Sequence, residues 1–453
     1  MTGCRRQGAV AAGVVVCALM GVGLMESSPF AAQSQRQVTF AKDVAPILQR
    51  SCQRCHRPGS VAPMSLITYD EVRPWARAIK LETSGRRMPP WYIERDVGIQ
   101  KFRDDPSLSD REIATIAEWV DGGAVGGSLL DMPPPLAFPD GRAWTIGQPD
   151  LIVSSPAITM EATAPDWWGA LGGVPTGLAE DRYISAIESL EVSDIRGSAI
   201  FHHAGFVALT ADGQFEAGSI HEVGRNAERY DADAGVRIGA GGSISFNNAH
   251  VHATGTKTTA RLVVGFTFHP VGYKPRHVMR GITLGNPDLD VRGNEKNQTV
   301  EAFSTLQQPA RLLNFEPHMH ASGSRMCLEA IWGTVRQTLT CTGFDPRWMR
   351  NYAYEADSAP LLPKGTILRL TAWLDTTPNP KNPYLVDYRN WTGWGSRPVD
   401  NMFMNYLNVV FLTPEQLKEE VATRLERARR GAGDLIGCLP CTLPYALDPS
   451  GTR

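Results

Sequence analysis

A small helical domain followed by two β-sandwich (jelly-roll-like) domains, a multidomain α plus all-β chain, is the architecture this sequence predicts. Three observations carry it. The 453 residues exceed one ordinary core, since about 150 residues per domain suggests roughly three. Helical periodicity with paired capping residues is confined to the stretch between Val38 and Gly127. From Leu151 onward short apolar runs separated by turn residues take over, in a chain with 43 Gly and 32 Pro, as many short strands joined by turns require. Hydrophobic content of 42% and charged content of 20% describe a folded globular chain. A net charge of −2 with interspersed signs gives no electrostatic footprint for nucleic acid or an anionic membrane, so no nucleic-acid partner is expected.

The elements follow in chain order. Residues 1–32 read as a signal peptide: Arg5 and Arg6, an apolar run from Ala9 to Met25, then small residues to Ala32. The chain is therefore expected to be exported, periplasmic or extracytoplasmic, with a retained N-terminal anchor as the alternative. Residues 36–131 form the helical domain. Asp43 caps a short helix with Val44, Ile47 and Leu48 on one face and Pro46 in its first turn. Thr68 and Glu71 form a capping-box pair ahead of Val72, Trp75 and Ile79. Ser109 and Glu112 repeat it ahead of Ile113, Ile116 and Val120, and Gly122-Gly123 stops the helix. Residues 132–142 are a Pro-rich linker, a semi-rigid spacer. Strands are predicted at Leu151–Ser154, Tyr183–Ile187, Ile200–Leu209, Gly242–Phe246, Ala260–Thr267, Ala310–Glu316, Cys327–Trp332, Thr338–Thr342, Ile367–Trp373 and Asn405–Leu412. They divide into sandwiches at 143–290 and 291–415, with a break near 285–300. A tail, 416–453, continues a charged helix that starts at Pro414.

Within the helical stretch, Cys52-Gln53-Arg54-Cys55-His56 has the spacing for covalent haem c. Two thiols two residues apart form thioethers with the vinyl groups, and the following imidazole ligates iron. Three short helices around one such motif are the build of a small cytochrome c domain. Met88, in Arg86-Arg87-Met88-Pro89-Pro90-Trp91, is the expected sixth ligand, with Met64 and an open site as alternatives. His/Met ligation suits electron transfer.

The nine other histidines all lie between 202 and 320. His318 and His320 alternate on a strand and face one side, so they can grip one metal. His202 and His203 are adjacent and would point to opposite faces unless a bulge or strand end intervenes. Imidazole suits Zn, Cu, Fe and Ni, and thioether sulfur selects Cu(I). Neither HExxH, GxSxG nor a phosphate-binding loop occurs.

The region 145–415 resembles the copper type II, ascorbate-dependent monooxygenases (peptidylglycine and dopamine hydroxylases), and most closely bacterial relatives with an N-terminal cytochrome c domain. The resemblance is carried by Trp144-Thr-Ile-Gly-Gln-Pro-Asp150, Val174-Pro-Thr-Gly-Leu-Ala-Glu-Asp-Arg-Tyr183, Phe201-His-His203, His250-Val-His252, Pro317-His-Met-His320 and Asp400-Asn-Met402. It implies two coppers, one per sandwich. An electron-transfer copper would use His202, His203 and His252, with His250 competing for the third place. An oxygen-activating copper would use His318, His320 and Met402. Met404 and Met326 are alternatives, because the family's usual Asp-Glu-Met is Asp400-Asn401-Met402 here. The implied activity is O2-dependent hydroxylation of a C–H bond in a small organic or peptide substrate. Electrons would come from an ascorbate-like reductant or a redox protein, relayed through the haem and the all-His copper. An electron-transfer or copper-binding cytochrome without oxygenase activity is the alternative. Cys327 and Cys341 flank a hairpin and can pair across it. Cys438 and Cys441 read as a tail-fixing disulfide ahead of a redox pair.

Overall fold

The computed structural model describes residues 36–442 except 59, 61, 137–143, 196–198, 380, 381, 383–388, 398 and 433. The predicted signal peptide, most of the linker and the end of the tail lie outside the described residues. The chain is mostly β-sheet, with few helices.

The helical part opens with a π-turn, Phe40–Val44, that runs into the helix Ala45–Ser51. The helical turns thus begin before Asp43. Its carboxylate reaches back to accept the Thr39 backbone N–H at 2.8 Å, instead of capping from outside. Both predicted capping boxes form, at Thr68/Glu71 and Ser109/Glu112, and Gly122 caps the helix Asp110–Asp121. The middle helix is broken: Tyr69–Val72, a 3-10 turn Arg73–Trp75, then Ala76–Ser84. Pro74 lacks the N–H an unbroken helix would need there. Val72 and Ile79 are buried, but Trp75 turns outward and is 45% exposed. Phe40, Val44, Leu48, Val72, Ile116 and Trp119 form the local core.

One segment leaves this core. Ile93–Gly98 pairs antiparallel with Val335–Gly343, and Ile93, Ile99 and Phe102 join the apolar core of the C-terminal sandwich. The boundaries 36–131 therefore do not enclose a self-contained unit. The added strand covers what would be an open edge of the C-terminal sheet, and Glu94 pairs with Arg325 on Gly323–Trp332, the next strand but one.

Beyond the linker two five-stranded sheets pack on one twelve-stranded sheet. The first small sheet contains Trp167–Gly169, Ser243–Val251, Phe201–Leu209 and Phe215–Glu222, with Gly172–Pro175 added to Ser243–Val251. Its Phe206 and Phe246 meet Ile184, Leu262 and Val264 of the large sheet. The second contains Ile93–Gly98, Val335–Gly343, Gly323–Trp332, Ile367–Leu374 and Gln298–Thr305. Its Leu328 and Leu370 meet Leu284, Phe315 and Leu407 of the same large sheet. Two β-sandwiches are thus present, but they share a sheet.

The shared strand is His277–Gly285. It pairs in parallel with Ala234–Ile238 of the first sandwich over two residues, Ala234↔His277 and Gly235↔Val278. With Phe403–Phe411 of the second it pairs from Met279↔Val410 to Gly285↔Met404. The second sandwich therefore begins before the predicted boundary at 290/291. Closing the two edges against each other leaves neither exposed. The predicted strand Ala310–Glu316 is two strands, Ala310–Leu312 and Asn314–Met319. The charged helix is present as Pro414–Arg429 with a Thr413/Gln416 capping box. Cys327 and Cys341 are directly opposite across strands and disulfide-bonded, and Cys438 bonds Cys441. Among the described residues no helix is long and apolar enough to cross a membrane.

Candidate metal centres

Cys52 and Cys55 sit in the turns after the first helix as free, half-buried thiols. The backbone N–H groups of Cys55 and His56 both reach Cys52 O, at 3.1 and 2.9 Å. Burial pushes the Cys52 thiol up to about 12, with Cys55 adding to the rise, and burial raises Cys55 as well. His56 Nδ1 lies 3.3 Å from the Met64 carbonyl, which leaves Nε2 free to ligate, and burial lowers its pKa toward the neutral ring that binds iron. This donor set fits covalent haem c. The Met64 carbonyl would orient His56, and Met88 or Met64 would supply a thioether ligand to the iron. Met88, in the loop after Ala76–Ser84, is 42% exposed.

Adjacent His202 and His203 become convergent through two compensating bulges. Along the pairing of Ser243–Val251 with Phe201–Leu209, Asn247 faces Gly205 and His250 faces His203, then Val251 faces Phe201. One extra residue sits on the first strand, where Asn248 has φ +45°, and His202 is the extra residue on the second. The ring centroids of His202 and His203 lie 5.2 and 5.5 Å from that of His250. One ligand nitrogen from each of the three lies within 4.8 Å of the others. His250, not His252, completes this group. Asp166 lies 2.9 Å from His250 Nε2 and Trp168 stacks on its ring at 4.5 Å. His250 Nδ1 is buried with no hydrogen-bond partner. An orphaned, buried imidazole nitrogen beside two more imidazoles fits a metal site. His252 Nδ1 instead lies 3.3 Å from the Ala253 carbonyl.

His318 and His320, at the end of Asn314–Met319, face one side as predicted, with ring centroids 5.6 Å apart. Glu222, fully buried at the end of Phe215–Glu222, accepts from His318 Nδ1 at 2.8 Å, which frees Nε2. Burial alone would raise the Glu222 pKa. The adjacent His318 and Arg225 outweigh it and hold the carboxyl low. His320 Nδ1 meets the Asp400 carbonyl at 3.2 Å. Burial pulls His202 down to about 4 and His203 and His320 to about 3, which favours the neutral ring that a metal would need.

His202 and His203 of the first group and His318 and His320 of the second line one open cleft together with Glu222 and Met349, with further apolar walls, while His250 stands beside His202 and His203 outside this lining. The methionines lining it among the described residues are Met319 and Met349. Met404 is the register partner of His318, whereas Met402 precedes the strand Phe403–Phe411 and is not among the residues lining the cleft. Met326 is buried in the sandwich core. Asn401, at the departure from the usual Asp-Glu-Met, is structural: it bonds Ser322 and Thr392. Asp166, Trp168, Glu222 and Met349 were not legible in the sequence, since none belongs to a spaced motif and each is brought in by pairing or packing. A second group, Asp233, His277 and Glu420, is bridged by Arg311 at 2.9 and 3.0 Å and ties the C-terminal helix to the sheet.

No family model matches this chain, and no curated protein does. Among solved structures, it is similar to the major capsid protein P2 of bacteriophage PM2, at 8% identity and a TM-score of 0.28, covering 58% of this chain and 98% of that one. Broad bean stain virus gives 8% identity and a TM-score of 0.26, covering 61% and 94%. A tandem CBM22 domain of Paenibacillus barcinonensis Xyn10C gives 9% and 0.14, covering 58% and 98%.

Proposed function

We propose that the chain is a haem- and copper-containing monooxygenase that hydroxylates a substrate C–H bond with O2. The observation that supports this reading is that His202 and His203, grouped with His250, line one solvent-accessible cleft together with His318 and His320, in a chain that also holds free thiols and an imidazole in the CxxCH spacing. When bound, copper would supply one-electron redox chemistry and O2 activation, and haem c would supply electron transfer. The residues supply position. Asp166 engages His250 Nε2 and Glu222 engages His318 Nδ1, so each ring is fixed with its other nitrogen free. His320 is held by the Asp400 carbonyl. His202, His203 and His250 would hold the electron-transfer copper, and His318 and His320 the oxygen-activating one, with Met402 as its expected soft ligand. Val223, Met319, Pro346 and Met349 line the walls and limit water beside the ligands. The substrate is a small organic molecule or a peptide, and an ascorbate-like reductant or redox protein supplies electrons.

Protein matured in an exporting host, with covalent haem, should bind two coppers and consume O2 with a reductant in a substrate-dependent way. Copper and haem without O2 consumption across a panel of peptides and small C–H substrates would favour an electron-transfer protein. Absence of copper would end both readings.

A further inference from the structure

We propose that Asp233, His277 and Glu420 hold a structural divalent cation of the first transition row, such as Zn2+, which clamps the C-terminal helix to the seam between the two sandwiches. The inference is independent of the functional reading above and uses none of the residues that line the cleft.

The three residues come from three elements. Asp233 ends the turn before Ala234–Ile238 of the first sandwich, and its carbonyl accepts the His277 backbone N–H at 2.9 Å. His277 opens the shared strand His277–Gly285, and Glu420 lies in the helix Pro414–Arg429. Their chain neighbours explain the meeting. Ala234 and Val421 are buried in one apolar cluster. Arg276 pairs with Glu419 at 2.6 Å. Packing and pairing beside each residue thus bring the imidazole and both carboxylates together.

His277 Nε2 lies 3.8 Å from Asp233 Oδ2 and 3.9 Å from Glu420 Oε1, too far for a hydrogen bond to either. One ligand atom from each residue lies within 4.8 Å of the others. His277 is only 4% exposed, and its Nε2 is buried with no hydrogen-bond partner among the described residues. Burying that nitrogen unpaired is costly, and a cation held between it and the two oxygens would satisfy it. With bonds of about 2.0–2.2 Å, tetrahedral ligand atoms stand about 3.4 Å apart, so the side chains need to close by roughly half an ångström.

Arg311 already touches both carboxylates. Its Nη2 donates to the two Asp233 oxygens at 2.9 and 3.0 Å, and its Nη1 to Glu420 Oε1 at 3.0 Å. A carboxylate oxygen has two lone pairs, so it can accept from a guanidinium and still ligate a metal. Arg311 therefore orients the two ligands, and its single positive charge leaves one negative charge of the pair for the cation to balance. The Asp233 side chain is 38% exposed, which gives an entry path and room for water as a further ligand. One imidazole with two carboxylates suits a first-row dication better than Ca2+ or Mg2+, which prefer oxygen throughout. The parallel pairing of Ala234–Ile238 with His277–Gly285 spans only two residues. A metal with ligands at the start of both strands and on the helix would reinforce that short seam.

The test uses the full-length chain, treated with a chelator and then equilibrated with Zn2+. Metal analysis should find one zinc more per chain in the parent than in His277→Gln or Glu420→Gln. Zinc taken up by the histidine groups of the cleft is common to all three proteins and cancels. Glu420→Gln keeps a carbonyl acceptor for Arg311, so the comparison stands even if His277→Gln does not fold. Amide hydrogen exchange in Pro414–Arg429 should slow by about tenfold or more when zinc is added to the parent, and should not respond to zinc in the variants. Loss of an ion pair alone would change exchange equally with and without zinc. Equal zinc content in parent and variants, or zinc bound without protection of the helix, overturns the proposal and leaves the reading of the cleft untouched.

Discussion

Glu191 accepts the backbone N–H groups of Ile200 and Phe201 at 2.7 and 3.1 Å, fixing the start of the strand that carries His202 and His203. Burial pushes its carboxyl from 4.5 up to about 7. The folded chain thus holds this proton more tightly than the unfolded chain does. Its stabilising contribution is full below about 4.5 and is lost as pH rises through about 7. Glu191→Gln keeps an acceptor but removes the titration. Denaturant unfolding across this window should show parent stability falling relative to the variant as pH rises. At the cleft, the geometry assigns the third imidazole to His250. Metal analysis should find one copper lost in His250→Ala and none in His252→Ala; the reverse would return the ligand to His252. Thioether sulfur stabilises Cu(I), so Met402→Ala should weaken Cu(I) while His318 and His320 retain Cu(II), and Met404→Ala should be mild. X-ray absorption at the copper edge would report the sulfur directly.

At the scale of elements, the strand Ile93–Gly98 and its continuation decide how the helical part is held. Phe102 is buried in the sandwich core and its ring stacks 5.3 Å from that of Tyr354. Truncating a buried Phe costs about 3–5 kcal/mol, so Phe102→Ala should lower the melting temperature of the sandwich. It should also raise proteolytic cleavage around 91–105, where the chain crosses from helices to sheet. Melting unchanged with cleavage unchanged would mean that this segment does not anchor the module. The capping boxes at Thr68/Glu71 and Ser109/Glu112 were readable because they depend on residues three apart. The pairing of Ile93–Gly98 with a strand some 240 residues later was not, because no local pattern encodes a partner at that distance. Phe215–Glu222, Ala234–Ile238, His277–Gly285 and Gln298–Thr305 escaped for a related reason. Each carries polar or charged residues that satisfy themselves across strands instead of alternating cleanly.

For the whole molecule, sheet addition replaces the expected role of the linker. A Pro-rich spacer alone would leave the helical part a range of orientations, whereas a paired strand and the Glu94–Arg325 ion pair hold it against the second sandwich. If the chain carries the proposed haem and copper, they would exchange electrons at an effective concentration set by this geometry. Haem reoxidation should be independent of protein concentration, and His202→Ala should slow it more than Met402→Ala. A rate proportional to protein concentration would mean transfer between molecules. The buried group Arg225, Glu228 and Glu316, bonded at 2.6–2.7 Å, joins the two sandwiches beside the cleft. Breaking a buried pair by removing one partner costs about 3–5 kcal/mol. Arg225→Met should therefore loosen the sandwich contact and reduce copper retention at both histidine groups together, measurable by dialysis against a chelator.

The sequence by itself determined the CxxCH spacing, the strand-borne pair His318 and His320, the need for a bulge or a strand end at adjacent His202 and His203, both capping boxes and the cross-strand pairing of Cys327 with Cys341. Each of these is encoded within a few residues, by the period of a helix or strand or by the geometry of a short motif. Only the tertiary structure decided that the two sandwiches share a sheet, that His250 joins His202 and His203, and that Glu222, Asp166 and Met349 stand beside these histidine groups. Those contacts depend on which strand edge closes on which. That choice is set by burying edges and apolar faces over the whole chain, and no window of the sequence contains it.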